Sequence, residues 1–225
     1  MNSPQCLLKN GDKIVFEGDS NTCRRMEPAL DNWPYLRLSN WHITHADRIA
    51  EWLFCNRPDL RLSFQNAAVG GSSIRSMHAR YASMVKPHKP IWVICTIGAN
   101  DSAQKIPLAD FRTLVELYAH TLKGDSNARL LVIGGLTGRF TPDEAGYQEK
   151  IAAITPYYTV LQEVLPVYDG IYLDIFKSLQ DKQLALRETW AGHTICTEEG
   201  HFNLVGAEII TAEVLQALGV IALSK

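Results

Sequence analysis

The sequence predicts an α/β protein, a three-layer α/β/α sandwich around a parallel sheet of five strands. Short apolar runs alternate along the chain with longer segments whose apolar residues have helical spacing. The connections between successive runs are long enough to hold helices, as right-handed crossovers between parallel strands require. At 225 residues with 46 % hydrophobic residues, the chain is expected to form a single domain, 1–225.

Five segments are predicted to be strands, and the third has the clearest pattern. Ile91–Ile97 is continuously apolar and contains β-branched residues, as expected of a strand that is buried on both faces. The first ends where Gly18 begins a run of turn-forming residues. The predicted strands are Lys13–Glu17, Arg61–Gln65, Ile91–Ile97, Arg129–Ile133 and Ile171–Ile175.

The predicted helices lie between and after these strands. Leu108–Leu122 is preceded by Pro107, a residue suited to a first helical turn. A longer segment, Asp143–Leu165, contains Pro156, which is expected to kink or break it. Asp181–Cys196 fits neither pattern and is interpreted as a surface excursion. The predicted helices are His45–Phe54, Ser73–Val85, Leu108–Leu122, Asp143–Leu165 and Leu204–Leu218.

Charge and cysteine content limit the classes of partner and compartment. A net charge of -2 and a pI near 6.4 argue against nucleic-acid binding. The sequence contains neither a basic patch typical of membrane binding nor an apolar run long enough to cross a bilayer, and its first residues do not resemble a signal peptide. The five cysteines are widely spaced without a C-x-x-C pair, which favours reduced thiols and a cytoplasmic protein.

Polar residues and glycines follow the predicted strands at their carboxyl ends, where open α/β sheets bind ligands. Ser20 follows the first strand, Gly71 the second and Asn100 the third, while His201 precedes the last helix. In a parallel sheet, the groups after the first three strands converge on one edge. A hydroxyl, an imidazole and two hydrogen-bond donors are the groups that acyl transfer requires.

Four sequence blocks resemble those of the SGNH (GDSL-type) hydrolase superfamily. They occur in the order that the family has, over about Lys13–Leu218, and each lies at a predicted strand end or before the last helix. The blocks are Gly18-Asp19-Ser20, Asn66 with Gly71, Gly98-Ala99-Asn100-Asp101 and Glu198-Glu199-Gly200-His201.

This resemblance implies a flavodoxin-like sheet and a serine esterase or acylhydrolase that needs no cofactor. It implies that Ser20 is the nucleophile and His201 the general base. The implied oxyanion hole consists of the Ser20 and Gly71 N–H groups and the Asn100 side chain. The family has aspartate three residues before the histidine, and Glu198 stands there in this chain. Glu198 is therefore expected to orient the histidine.

Within the superfamily, the layout is most similar to the esterases that deacetylate carbohydrates. The expected partner is a small-molecule ester, and the sequence leaves a homo-oligomer open. One alternative is a lysophospholipase or thioesterase that acts on longer acyl chains. The other is a catalytically silent binding protein, for which the Glu198 substitution is the only support.

Several other residues have a structural and a functional interpretation. Asn66 is expected either to cap its loop or to serve the site, and Asp101 is interpreted as a structural residue. His42 and His45 form an H-x-x-H pair without nearby carboxylates or cysteines, so surface histidines are predicted rather than a metal site. His193 is a second candidate for the general base.

Overall fold

The computed structural model describes residues 6–23, 44–138, 140–141, 145–190, 194–196 and 201–221. The strands are β1 (Lys13–Glu17), β2 (Ser63–Asn66), β3 (Trp92–Cys95), β4 (Arg129–Gly134) and β5 (Ile171–Asp174). They form one sheet in which every neighbouring pair is parallel, in the order β2-β1-β3-β4-β5. This is the flavodoxin-like order, in which the direction of winding reverses between β1 and β3.

Helices cover both faces of the sheet, because each central strand is apolar on both sides. In β1, Val15 faces one layer while Ile14 and Phe16 face the other. Helices α2, α4 and α5 pack on the Val15 side, and α1, α6 and α7 pack on the opposite side. The predicted three-layer α/β/α sandwich is thus confirmed. The helices are α1 (His45–Asn56), α2 (Ile74–Met84), α3 (Ala99–Ala103), α4 (Leu108–Ser126), α5 (Tyr147–Val164), α6 (Phe176–Thr189) and α7 (Leu204–Ala217).

The interpretation of Asp181–Cys196 as a surface excursion is wrong for most of that segment. Helix α6 continues to Thr189, and its inner face carries Leu179 and Gln183, both buried. The Gln183 Oε1 atom accepts a hydrogen bond from the Ile195 N–H group at 2.9 Å. A polar residue thus occupies a core position, which is why an apolar periodicity was absent.

Pro156 lies inside α5, and the helix continues across it rather than breaking. Proline lacks the N–H group that would bond to the Ala152 carbonyl. On either side of Ala152, side-chain hydroxyls reinforce the backbone: Thr155 Oγ1 donates to the Ile151 carbonyl at 2.7 Å, and Ser102 Oγ donates to the Ala153 carbonyl at 2.9 Å.

Among the described helices, none combines the length and the apolar character that crossing a bilayer requires.

Candidate active site

The candidate site lies at the carboxyl edge of the sheet, beside the reversal point between β1 and β3. Ser20 follows β1, Asn100 lies in α3 directly after β3, and His201 precedes α7. The structure brings Ser20 and His201 into contact, because the Ser20 Oγ atom lies 2.9 Å from the His201 Nε2 atom. Both side chains are half-buried, so they remain accessible to a small molecule.

The loop that carries Ser20 turns sharply at Gly18. Gly18 has φ +121°, and a Cβ atom there would lie 2.5 Å from the Thr96 carbonyl oxygen, so only glycine fits. After this turn, the N–H groups of Thr22 and Cys23 both donate to the Asp19 carbonyl, at 3.0 and 2.9 Å. The Ser20 side chain is therefore presented by a turn with a fixed backbone.

Asp19 is a buried carboxylate that stabilises this turn by accepting hydrogen bonds. It accepts hydrogen bonds from the Asn21 N–H group at 2.9 Å and from the Thr96 hydroxyl at 2.9 Å. The Asn100 Nδ2 atom donates to Asp19 Oδ2 at 3.3 Å. Burial raises the pKa of Asp19 to about 6, and these hydrogen bonds oppose that rise.

The contact with Asp19 fixes the orientation of the Asn100 amide. An asparagine Nδ2 atom carries two hydrogens. One is directed at Asp19, and Asn100 also lines the cavity of the site. The next residue, Asp101, is fully buried and accepts from the N–H groups of Gly98 at 3.0 Å and Ile74 at 2.9 Å. Asp101 thus connects the start of α3 to the start of α2, in agreement with its structural interpretation.

Gly71 lies on an exposed turn between β2 and α2, with φ +75°. Gln104 Nε2 donates to the Gly71 carbonyl at 3.1 Å, and the Val69 N–H group donates to the Gly18 carbonyl at 3.1 Å. The second contact ties the Gly71 loop to the Ser20 loop. Within the described residues, neither the Ser20 nor the Gly71 N–H group donates to a protein acceptor.

Asn66 has the loop-capping role that was one of its two interpretations. Its Oδ1 atom accepts from the Ala68 N–H group at 3.0 Å. Its Nδ2 atom donates to the Thr22 carbonyl at 2.9 Å, which attaches the second loop to the first. Asn66 therefore supports the backbone around Ser20 through the loop that follows it.

His45 is not a surface histidine, and that prediction was wrong. Its side chain is 1 % exposed at the start of α1, and burial lowers its pKa to about 4. The His45 Nε2 atom lies 3.5 Å from the Thr22 hydroxyl, which in turn lies 2.8 Å from the Thr96 hydroxyl. A line of buried polar groups therefore runs from α1 to Asp19. The other member of the H-x-x-H pair, His42, lies outside the described residues.

A cavity of about 410 Å³ opens beside His201 and Asn100. Its described lining mixes amide, hydroxyl and ammonium groups with small and aromatic apolar side chains. The lining includes Asn21, Ala99, Asn100, Leu136, Thr137, Lys150, His201 and Phe202. Sequence reasoning had missed Thr137, Lys150 and Phe202, although Phe202 directly follows the histidine of the last block.

Two of the expected residues cannot be placed in this geometry. Glu198, the expected orienting acid, and His193, the second candidate base, lie outside the described residues. The described members of the expected site are Ser20, Gly71 and His201, together with Asn100.

The family of the chain follows from a comparison with models of known protein families. Residues 16–209 match the model of the GDSL-like Lipase/Acylhydrolase family. The chain belongs to this family. Membership assigns it to the acyl-ester hydrolases, and the matched range contains the Ser20 turn, Asn100 and His201.

Known proteins similar to this GDSL-family chain include carbohydrate esterases. An acetylxylan esterase from Geobacillus stearothermophilus is 29 % identical over 95 residues, which is 42 % of this chain and 42 % of that protein. A solved structure of a catalytic mutant of Axe2, an acetylxylan esterase from the same organism, has a TM-score of 0.72 at 16 % identity. That match covers 97 % of this chain and 100 % of the other.

A second structural relative is LAE5, described as an alpha/beta hydrolase enzyme from the metagenome of Lake Arreo, Spain. Its TM-score is 0.73 at 17 % identity, over 96 % of this GDSL-family chain and 99 % of LAE5. At such low identities these structures demonstrate a shared fold.

Proposed function

We propose that the protein is a serine esterase that removes small, acetyl-type acyl groups from hydroxyl groups of carbohydrates. The observation that carries this proposal is the 2.9 Å contact between Ser20 Oγ and His201 Nε2 at the mouth of a polar cavity. A hydroxyl alone is a weak nucleophile, and a hydrogen-bonded imidazole activates it. The same contact argues against the catalytically silent alternative.

In the proposed mechanism, Ser20 Oγ attacks the carbonyl carbon of the ester while His201 Nε2 takes the hydroxyl proton. The negative charge moves to the carbonyl oxygen, where the Ser20 and Gly71 N–H groups and the Asn100 amide donate to it. As the tetrahedral intermediate collapses, His201 gives its proton to the departing alcohol, leaving Ser20 acylated. Water then attacks the acyl-enzyme with His201 again acting as base, which releases the acid and restores Ser20.

For this cycle the His201 Nε2 atom must accept a proton, so the Nδ1 atom must carry one. A carboxylate that accepts from Nδ1–H holds this tautomer and stabilises the imidazolium that forms during attack. Glu198 is proposed for this role because it has the family's three-residue spacing to the histidine. Asp19 is a poor candidate, because its described contacts are to Asn21, Thr96 and Asn100.

The small-acyl preference is supported by the size and polarity of the cavity. At about 410 Å³ it lies near the small end of ligand pockets, which span roughly 300–1,000 Å³. Asn21, Thr137 and Lys150 offer hydrogen bonds that suit the hydroxyl groups of a sugar better than an alkyl chain. The similarity to an acetylxylan esterase also supports a carbohydrate substrate.

The proposal is tested with p-nitrophenyl esters of increasing acyl length and with acetylated xylo-oligosaccharides. We expect acetate esters to be hydrolysed faster than octanoate esters, and acetate to be released from the oligosaccharides. Faster hydrolysis of octanoate would favour the lysophospholipase or thioesterase alternative. A fluorophosphonate probe that leaves Ser20 unlabelled in the folded protein would overturn the serine-esterase proposal as a whole.

A further inference from the structure

The last residue of β1, Glu17, is a fully buried carboxylate held by two side chains. The Tyr118 hydroxyl donates to its Oε2 atom at 2.6 Å. Arg80, on α2, donates from Nε to its Oε1 atom at 2.7 Å, and the Arg80 Nη2 atom lies 2.5 Å from the same oxygen. A buried carboxylate is strongly destabilising without such partners. The guanidinium is therefore fixed beside β1, directly below the Ser20 turn.

The remaining N–H groups of Arg80 contact both loops that carry the proposed backbone donors. Its Nη2 atom donates to the Gly18 carbonyl at 3.1 Å, and its Nη1 atom donates to the Ser72 hydroxyl at 2.8 Å. Gly18 lies two residues before Ser20, and Ser72 directly follows Gly71. One planar group thus joins the end of β1 to both loops.

The two loops also contact each other at the point where Arg80 binds. The Gly18 carbonyl accepts from the Val69 N–H group as well as from Arg80, and the Ser72 hydroxyl donates to the Val69 carbonyl at 2.6 Å. Gly18 and Gly71 both have positive φ angles. The Gly71 backbone has few local constraints of its own, because glycine samples such conformations freely and no atom lies within 4 Å of the position that a Cβ atom would take there.

We propose that Arg80 is a positioning residue that sets the spacing between the Ser20 and Gly71 N–H groups, with Glu17 as its counter-ion. The inference rests on the proposed function, because it concerns the two backbone donors of the proposed oxyanion hole. The described contacts of Arg80 are to Glu17, to the Gly18 carbonyl and to the Ser72 hydroxyl, so we assign its action to these loops and not to the substrate. Arginine suits this role because its donors form a rigid fork, whereas lysine has one flexible ammonium group.

Replacement of Arg80 by lysine tests this role. Lysine retains the positive charge beside Glu17 but cannot bind the carboxylate and both loops in the same geometry. We expect kcat for p-nitrophenyl acetate to fall about 10- to 100-fold, as for a small misplacement of catalytic groups. KM should change little, because the oxyanion donors act mainly in the transition state.

Three further variants control the interpretation. Ser72→Ala removes the contact of Arg80 with the Gly71 loop and should lower kcat by a smaller factor. The double variant with Arg80→Lys should lose less than the product of the two single losses, because both act through one contact. Arg75→Lys, on the same helix but paired with Asp110 at the surface, should leave kcat unchanged.

The outcomes separate positioning from stability and from the proposed function itself. Kinetics are measured where circular dichroism shows each variant to be folded, and the amide NMR signals of Ser20 and Gly71 are followed in parallel. Shifted signals with a lowered kcat support the proposal. A lowered Tm with unchanged kcat and unchanged signals would overturn it. If Arg80→Lys does not fold, wild-type kcat and signals in Ser72→Ala overturn it. If the wild-type protein hydrolyses no ester, the proposed function fails, and the NMR signals alone decide whether Arg80 positions the loops.

Discussion

The Ser20 Oγ and His201 Nε2 atoms lie 2.9 Å apart although 181 residues separate them in the sequence. The first residue follows β1, which lies between β2 and β3 in the sheet, and the second precedes the last described helix. The fold thus brings these two residues, which are far apart in the sequence, into contact at the carboxyl edge of the sheet.

Ser20→Ala is expected to abolish esterase activity while leaving the fold intact. The loop is built by the Gly18 turn and the contacts of Asp19, neither of which involves the Ser20 hydroxyl. Removal of a nucleophile from such a site lowers kcat by several orders of magnitude. The measurement is turnover of p-nitrophenyl acetate, with Ser83→Ala on the exposed face of α2 as the control. Wild-type turnover by the purified Ser20→Ala protein would exclude Ser20 as nucleophile.

Asn100→Ala is expected to lower kcat by about 10²–10³-fold with little effect on KM. The Asn100 amide is oriented by Asp19 and borders the cavity, so it can donate to the charge that develops on the substrate oxygen. Asn56→Ala, at the far end of α1, is the matched control. A rise in KM at unchanged kcat would indicate that Asn100 binds the substrate instead of the transition state.

Glu198→Gln is expected to lower kcat strongly, whereas Glu199→Gln should have little effect. Of the two glutamates, only Glu198 has the three-residue spacing to His201. The amide of a glutamine at this position carries no negative charge to stabilise the imidazolium, and it is a weaker hydrogen-bond acceptor than the carboxylate. Glu198→Asp should be intermediate, because the shorter side chain is a poorer fit to a site built for glutamate. Steady-state measurement of kcat for the three variants tests this assignment of the orienting acid. Unchanged kcat in both glutamine variants would mean that another group orients His201.

Two buried groups are expected to give the stability opposite dependences on pH. Burial raises the pKa of Asp19 from 3.8 to about 6. Between pH 3.8 and about 6 the folded state therefore binds more protons at Asp19 than the unfolded state does, so Asp19 lowers the free energy of unfolding as pH rises through this range. Burial lowers the pKa of His45 from 6.5 to about 4, so the unfolded state binds the extra proton there. His45 therefore raises stability as pH rises from about 4 to 6.5. Each contribution amounts to about 3 kcal/mol at most.

Substitution separates these two contributions. Asp19→Asn should make the free energy of unfolding rise more steeply with pH between 4 and 6, and His45→Gln should make it rise less or fall. Urea unfolding of both variants and the wild-type protein at pH 4.5, 5.5, 6.5 and 7.5 provides the comparison. Parallel pH profiles for all three proteins would contradict the assigned shifts.

Sequence reasoning predicted best those features that follow from a local residue pattern together with the parallel topology of the sheet. The alternation of apolar runs with helical segments predicted the sheet, and the polar residues after β1 and β3 predicted the edge at which Ser20 and Asn100 lie. The buried polar groups were harder to predict. His45 resembles a surface residue in sequence, because its burial depends on the packing of α1 near Thr22 and on no local pattern.

Arg80 and Gln183 illustrate the same difficulty on helices. Arginine and glutamine at helical spacing usually mark a solvent-facing side. Here the Arg80 guanidinium has buried acceptors on two other loops, and Gln183 binds the Ile195 N–H group. These partners lie on loops outside the two helices, so helical spacing alone does not identify them.

The position of His201 directly before α7 also has a consequence for how the protein is synthesised. Ribosomes release the amino-terminal segments first, so the Ser20 turn and its neighbouring strands exist before the histidine has been made. The apolar face of α7, with Ile210 and Val214 buried, must then dock beside α1 before the histidine can reach the serine. A nascent chain that has not yet reached α7 therefore carries a Ser20 hydroxyl without its imidazole partner.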